Sequence, residues 1–271
     1  MDELFPTDPV SEHNRRAWDA RVHQGQAFTK PAEEADFLNP LAAIDAPGWL
    51  SGNIQDQELL CLAAGGGRQA PLYAAAGARV TVVDISPAML ELDRQIAAKR
   101  GLQIETLETS MDNLLMLDRG RFDIVIQPVS TCYVKDIIAV YHQIARIMQP
   151  GGLYISQHKQ PVSLRANVKP TADGYHIKEP YYRDGPLPQV AGSPHREYGT
   201  LEFLHRWEQL LGGMCRSGFI IEDLLEPLHT KPGAVQGSFA HRCQHVAPYV
   251  RIKARRTEVR SPLGTIRLSD V

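Results

Sequence analysis

The sequence predicts an α/β protein with a Rossmann-like, doubly wound, mostly parallel sheet. Three observations predict it. Between Glu58 and His158, short apolar runs alternate with segments of helical periodicity. The runs are nearly continuous in Leu, Val and Ile, the pattern of parallel strands covered on both faces. The first run, Leu59–Leu62, ends in Ala63-Ala64-Gly65-Gly66-Gly67, and the second, Val80–Val83, ends in Asp84. A strand, glycine turn, helix and second strand closing on a carboxylate form a nucleoside site. Glycines let the backbone approach the ligand, and the carboxylate accepts from ribose hydroxyls.

Each element has its own signal. Glu12–Val22 places Ala17, Trp18 and Val22 at near-helical spacing, after which Pro31, Pro40, Pro47 and Gly48 break regularity. Gln69–Ala76 reads as a helix stopped by Gly77. Arg79–Val83 is a β-branched strand. Ser86 caps a helix with Pro87 at its first position and Gly101 at its end. In that helix Asp93 reads as a surface charge. Ile104–Leu107 and Phe122–Ile126 are the third and fourth strands. Ile137–Met148 is helical, with Val140, Tyr141 and Ile144 on one face. Pro150-Gly151-Gly152 turns the chain into a fifth strand, Leu153–Ser156. Leu201–Met214 reads as a helix, and Phe219–Leu225 and Tyr249–Ala254 as two late strands, giving seven.

The 271 residues suit one large domain with an elaborated cap. Residues 1–55 read as an N-terminal helical lid and 56–271 as the main domain. Residues 161–200 interrupt it with six prolines and four tyrosines but no clear periodicity, which marks a substrate cap. With 43% hydrophobic and 22% charged residues, the chain has the composition of a soluble globular protein. A net charge of -2 gives no field that would draw it to nucleic acid or an anionic membrane. No apolar run is long enough to span a bilayer, and the acidic start Met1-Asp2-Glu3 lacks a signal-peptide core. Four scattered cysteines without a CxxC read as reduced thiols, so a cytoplasmic protein is expected. Residues 251–271 carry six basic side chains against two acidic ones. They read as a solvated strand face and tail, with RNA binding as the alternative. His241, Cys243 and His245 would share one strand face, but that spacing is no zinc signature, and no metal is expected.

Two cofactors fit the glycine turn. Gly65-Gly66-Gly67-Arg68-Gln69-Ala70 satisfies the dinucleotide pattern, with Asp84 near the expected distance. An NAD(P)-dependent oxidoreductase is therefore one alternative. The chain as a whole favours another. Leu60–Gly67, Val82–Leu90, Phe122–Val125 and Arg146–Gly152, in that order, closely resemble the class I S-adenosylmethionine-dependent methyltransferases of small-molecule type. The similarity spans roughly residues 55–160. The later Gly218–Glu222 and Tyr249–Arg255 resemble the antiparallel pair that closes that family's sheet.

This resemblance implies a methyl transfer to a small metabolite, with S-adenosylhomocysteine as product. It implies that Ala63, Gly65 and Gly67 lie along the methionine part of the cofactor and that Asp84 takes both ribose hydroxyls. Ile85 or Met89 would pack on the adenine, and Met111 and Asp112 would read its edge. Gln127 and Pro128 would border the reacting methyl. The sequence departs from the family at Cys61, where an acidic residue normally steadies the glycine loop, and at Ala63, where glycine is usual. A cofactor-binding protein without catalysis is the alternative these departures raise.

A hydroxyl, thiol or protonated amine acceptor needs a base. His158, just beyond the fifth strand, Tyr133, after the fourth, and His176 are the candidates. Tyr175, Tyr181 and His195 in the cap, with Trp18 and Arg15 in the lid, are expected to meet the substrate. A homodimer is possible. The acceptor atom cannot be read from the sequence.

Overall fold

In the computed structural model, residues 8–257 are described. Seven strands form one sheet in the order β3-β2-β1-β4-β5-β7-β6. They are β1 (Glu58–Leu62), β2 (Arg79–Asp84), β3 (Ile104–Glu108), β4 (Phe122–Gln127), β5 (Met148–Lys159), β6 (Phe219–Leu225) and β7 (Tyr249–Arg256). The first five are mutually parallel, and β7 runs antiparallel to both β5 and β6. From β1 the chain winds outward through β2 and β3, then returns to lay β4 on β1's other side. That reversal opens a crevice at the carboxyl ends of β1, β2 and β4.

Local chemistry sets the helices. In α1 (Pro9–His23) the Asp8 carboxylate accepts from Ser11 N–H at the N-cap, and Pro9 stands in the first turn. α2 (Pro40–Ile44) and α3 (Gln69–Ala75) are short. Ser86 caps α4 (Pro87–Arg100) by accepting from Met89 N–H, and Gly101, at φ 65°, ends it in the left-handed region. α5 (Ile137–Ile147) buries Ile137, Val140, Tyr141 and Ile144 against the sheet. On the opposite face Leu50 and Ile54, from the N-terminal segment, join Leu59, Cys61, Val80 and Val82 in a second cluster. Cys61 is thus a core side chain with no water contact.

Three expectations are corrected. The fifth strand begins at Met148, not Leu153. Met148 pairs with Phe122 and Leu153 with Ile124, so Pro150-Gly151-Gly152 is an outward bulge within the strand. Residues 201–206 are irregular rather than helical, and the helix begins only at Trp207. It runs through a π-turn, Glu208–Gly212, into α7 (Gly213–Arg216). The irregular path is held by Leu201 N–H donating to Asn14 and Phe203 N–H donating to Cys132 O. Finally, His241–His245 lies on a short helix, α8 (Phe239–Arg242), and its last turn, not on a strand, so the three side chains do not line one strand face.

Between α6 (Pro161–Arg165) and residue 200 the chain is irregular, and Leu187 packs with Leu164 and Leu204. On β7, Arg251 donates to Gln157, and Lys253 and Arg255 pair with Glu222, so these basic side chains have partners on the sheet. The remainder of the basic tail, residues 258–271, lies outside the described residues. No described helix is long and apolar enough to cross a membrane.

Candidate active site

A cavity of about 490 Å³ occupies the crevice. Its floor is the glycine turn. Ala63 leaves β1 with a left-handed φ of 48°, a conformation that strains any residue with a Cβ. Gly67, at φ 73°, passes so close to α4 that a Cβ would sit 2.9 Å from Leu92 O. At Gly65 a Cβ would meet Met89 Cβ at 2.8 Å. The turn therefore needs glycine at both positions because helix and loop are in direct contact.

Two buried carboxylates hold the turn. Asp84 Oδ2 accepts from Gly65 N–H at 3.0 Å, and Asp84 Oδ1 accepts from Ser86 N–H at 3.0 Å. Asp93, on α4, accepts from Gly66 N–H through Oδ2 and from Gly67 N–H through Oδ1, both at 3.0 Å. Asp93 is fully buried, which corrects its reading as a surface charge. A carboxylate with two backbone donors at fixed spacing can be buried; an exposed one would leave Gly67 N–H unpaired and Gly66 N–H with Met89 O alone. Asp93 thus grips the loop whose steadying acidic residue is replaced by Cys61. Burial pushes Asp84 up to about 6 and Asp93 up to about 7, against the lowering effect of the N–H donors.

This geometry decides between the two cofactors. A dinucleotide pyrophosphate needs the N–H groups of the glycine turn. Here Gly65, Gly66 and Gly67 all donate to carboxylates instead, and Asp84 presents negative charge to the cavity. The site fits a cationic nucleoside bearing no phosphate, so the NAD(P) alternative falls.

Comparison with known proteins agrees. Residues 60–156 match the methyltransferase domain model. The chain is 32% identical, over 84% of its own length and 94% of the relative's, to the uncharacterized methyltransferase YbaJ of Bacillus subtilis (strain 168). The chain belongs to the class I S-adenosylmethionine-dependent methyltransferases. A ubiquinone biosynthesis O-methyltransferase of Alkalilimnicola ehrlichii is 28% identical over 58% of this chain and 67% of that protein. Among solved structures, geranyl diphosphate C-methyltransferase from Streptomyces coelicolor superposes with a TM-score of 0.63 at 16% identity, covering 93% of this chain and 100% of that one. An S-adenosylmethionine-dependent methyltransferase from Mesorhizobium loti gives 0.61 at 19%, covering 80% and 100%.

The glycine turn forms one side of the crevice. Ala63, Gly65, Asp84, Ile85, Met89 and Met111 all line it, as do Trp18 and Tyr133. Pro128 lines it too, but Gly67, Asp112 and Gln127 stand elsewhere. Gly67 is turned toward α4. Asp112 is half-buried outside the lining. Gln127 lies behind the wall, where it accepts from Tyr154 O–H and donates to Met111 Sδ and Ser130 Oγ.

The expected bases and cap contacts are mostly displaced from the cavity. His158 is a core side chain, its two ring nitrogens bonded to Thr131 Oγ1 and Ser156 Oγ at 2.8 Å each. Burial, helped by His205, pushes it down to about 3. His195 is buried against Phe239 and pushed down to about 3, by burial first and Arg242 next. His176 is exposed and paired with Asp173, and the Tyr175 hydroxyl bonds His241. Tyr181 lies under the Arg165 guanidinium, and Arg15 is held by Glu12 and Asp19. Each lies outside the lining, held by these other partners.

Several lining residues escape any sequence motif. Glu197, His229, Phe239 and Tyr249 come from irregular or late segments that fold back over β4 and β5. Tyr133 O–H donates to Glu197 Oε2 at 2.6 Å, and Trp18 stands edge-on to the Tyr133 ring at 5.7 Å. Behind them Lys159, 4% exposed, donates to Glu197 and to Glu202, and Arg196 donates to Glu202. Burial works against the Lys159 charge, but Cys132, Glu197 and Glu202 outweigh it and hold the lysine above its ordinary range. Burial likewise opposes charge on Glu202, yet Lys159 and Arg196 hold it at about 2.

Proposed function

We propose that this protein binds S-adenosylmethionine at the inner end of the cavity and transfers its methyl group to a small molecule seated at the outer end. The single observation that carries this reading is the glycine turn, whose three N–H groups are all taken by Asp84 and Asp93. Bound S-adenosylmethionine supplies a sulfonium-activated methyl group. Asp84 is placed to accept from ribose hydroxyls, with Ile85, Met89 and Met111 as the apolar walls of the adenine slot. Lys30, beside Phe28 at the rim, has no ion pair among the described residues and suits the carboxylate of the amino-acid moiety. Names among the relatives, a ubiquinone biosynthesis enzyme and a geranyl diphosphate methyltransferase, support a small-molecule acceptor.

The chain's own contribution is orientation. Aligned reactants held at contact distance gain about 7–11 kcal/mol. Residues 8–23, pinned by Asn14 to Tyr133 O and Leu201 O, cover one side as a lid, and residues 161–200, which supply Pro194 and Glu197, form the cap. Among the described residues His229 is the histidine that lines the cavity. Burial, reinforced by Arg251, lowers its pKa, so it is a neutral base at pH 7. We assign it, rather than His158, to take the proton of an acceptor that carries one.

Calorimetry with S-adenosylhomocysteine and NAD tests the cofactor reading. Saturable binding of the first and none of the second is expected. Heat from NAD alone would overturn it.

A further inference from the structure

At its outer end the cavity is walled by Trp18, Tyr133, Phe239 and Tyr249, and one carboxylate, Glu197, stands among them. Glu197 is 7% exposed, so its charge is set into an apolar surface. Both side-chain donors that reach it, Tyr133 O–H and Lys159 Nζ, bond the same oxygen, Oε2. Among the described residues Oε1 accepts no bond. That oxygen is open to the cavity, where a ligand that donates to it exchanges water for a hydrogen bond made against apolar walls.

The charges behind Glu197 say which donor. Lys159 and Arg196 face Glu197 and Glu202, two cations against two anions. That closed network carries no net charge, so it favours neither a cation nor an anion. A neutral O–H or N–H group is what remains. The aromatic walls favour a flat ring over an aliphatic chain, because offset and edge-to-face packing reward planar partners.

Resting on the methyltransferase reading above, we propose that Glu197 is the substrate-recognition carboxylate, accepting through Oε1 a hydroxyl or amino group carried by a flat, apolar ring. Lys159 and Tyr133 are positioning residues that hold the other oxygen and stop the carboxylate from rotating.

The test uses the full chain saturated with S-adenosylhomocysteine, and four ring probes measured by calorimetry or saturation-transfer NMR. Phenol carries the donor; anisole has the same ring without it; benzoate and phenyltrimethylammonium carry a negative and a positive charge. Phenol is expected to bind at least about fivefold more tightly than the other three, a ratio of the size of one modest hydrogen bond. Glu197→Gln should abolish that preference. Lys159 keeps the amide oxygen on its own side, so the cavity then faces an amide donor instead of an acceptor. S-adenosylhomocysteine affinity should be unchanged in the variant. Equal binding of phenol and anisole, stronger binding of either charged probe, or a preference that survives Glu197→Gln would overturn the proposal. If the variant fails to fold, the phenol–anisole contrast in the unaltered protein decides by itself. Failure of the unaltered protein to bind S-adenosylhomocysteine would instead count against the methyltransferase reading.

Discussion

On the proposed reading Asp84, Asp93 and His229 carry the site, and each makes a measurable claim. There Asp84→Ala removes the acceptor for two ribose hydroxyls. At about 1 kcal/mol or more per bond, S-adenosylhomocysteine affinity should fall at least tenfold by calorimetry. Asp93→Ala touches nothing in the cavity but strips the acceptor from Gly67 N–H and leaves Gly66 N–H with Met89 O alone. It should lower both cofactor affinity and thermal stability, and Asp93→Asn, which keeps one acceptor, should recover part of each. His229→Ala should reduce turnover by about 10²-fold or more while leaving S-adenosylhomocysteine affinity intact. The unaltered enzyme's kcat should rise with pH through a value below the ordinary histidine range, since burial lowers the His229 pKa. A pH profile that is flat from 5 to 7, or identical in the variant, would remove His229 from the proton path. Asp84 was legible in the sequence because a strand-ending carboxylate after a glycine turn has a fixed meaning. Asp93 was not, since burial and exposure look alike in a helix with Glu91 and Arg94 as neighbours.

At the scale of elements, helix α1, the proposed lid, is fastened first by Asn14. Asn14 is fully buried, donates to Tyr133 O and Leu201 O, and accepts from Leu201 N–H. A second tie joins the same helix to α4, where Asp19 accepts from Ser86 Oγ at 2.6 Å. Asn14→Leu leaves three backbone groups unpaired in the interior and should destabilise the fold by about 2–4 kcal/mol in denaturant melts. It should also raise the substrate KM, because Trp18 and Tyr133 are positioned through the same helix. Strands β1 to β4 and helices α4 and α5 were readable from apolar runs, Ser86, Pro87 and Gly101. Residues 201–206 were misread because Leu201, Phe203 and Leu204 have helical spacing. Tertiary bonds to Asn14 and Cys132 outweigh that propensity.

For the whole molecule, Asp84 and Asp93 couple the fold to pH. Both have folded values raised above the ordinary carboxylate range, to about 6 and about 7. Below pH 4 both states of the chain hold the protons. Between about 4 and 7 the unfolded chain has released them while the folded chain has not, so their contribution to stability declines as pH rises through this window. Above 7 that loss is complete. Buried His158 and His195, both pushed down to about 3, act in the opposite sense over the same range, so the test is differential. Asp93→Asn should gain stability relative to the unaltered protein as pH rises from 5 to 8. A difference in melting temperature between the two proteins that stays constant from pH 5 to 8 would contradict the assignment.

The sequence alone determined the sheet, the cofactor end and the family. Those rest on local patterns: apolar runs, a glycine turn, capped helices and an aspartate at a strand end, each set by neighbours a few residues away. The tertiary structure alone decided what holds the glycine turn in place of an acid at position 61, which of the histidines reaches the cavity, and that Glu197 is its outer carboxylate. Those depend on burial and on pairings such as Asp93 with Gly66, His158 with Thr131 and Glu197 with Tyr133, spanning 27, 27 and 64 residues. No window of sequence contains both partners, and the same side chain is a base, a core residue or a surface charge according to which partner the fold brings to it.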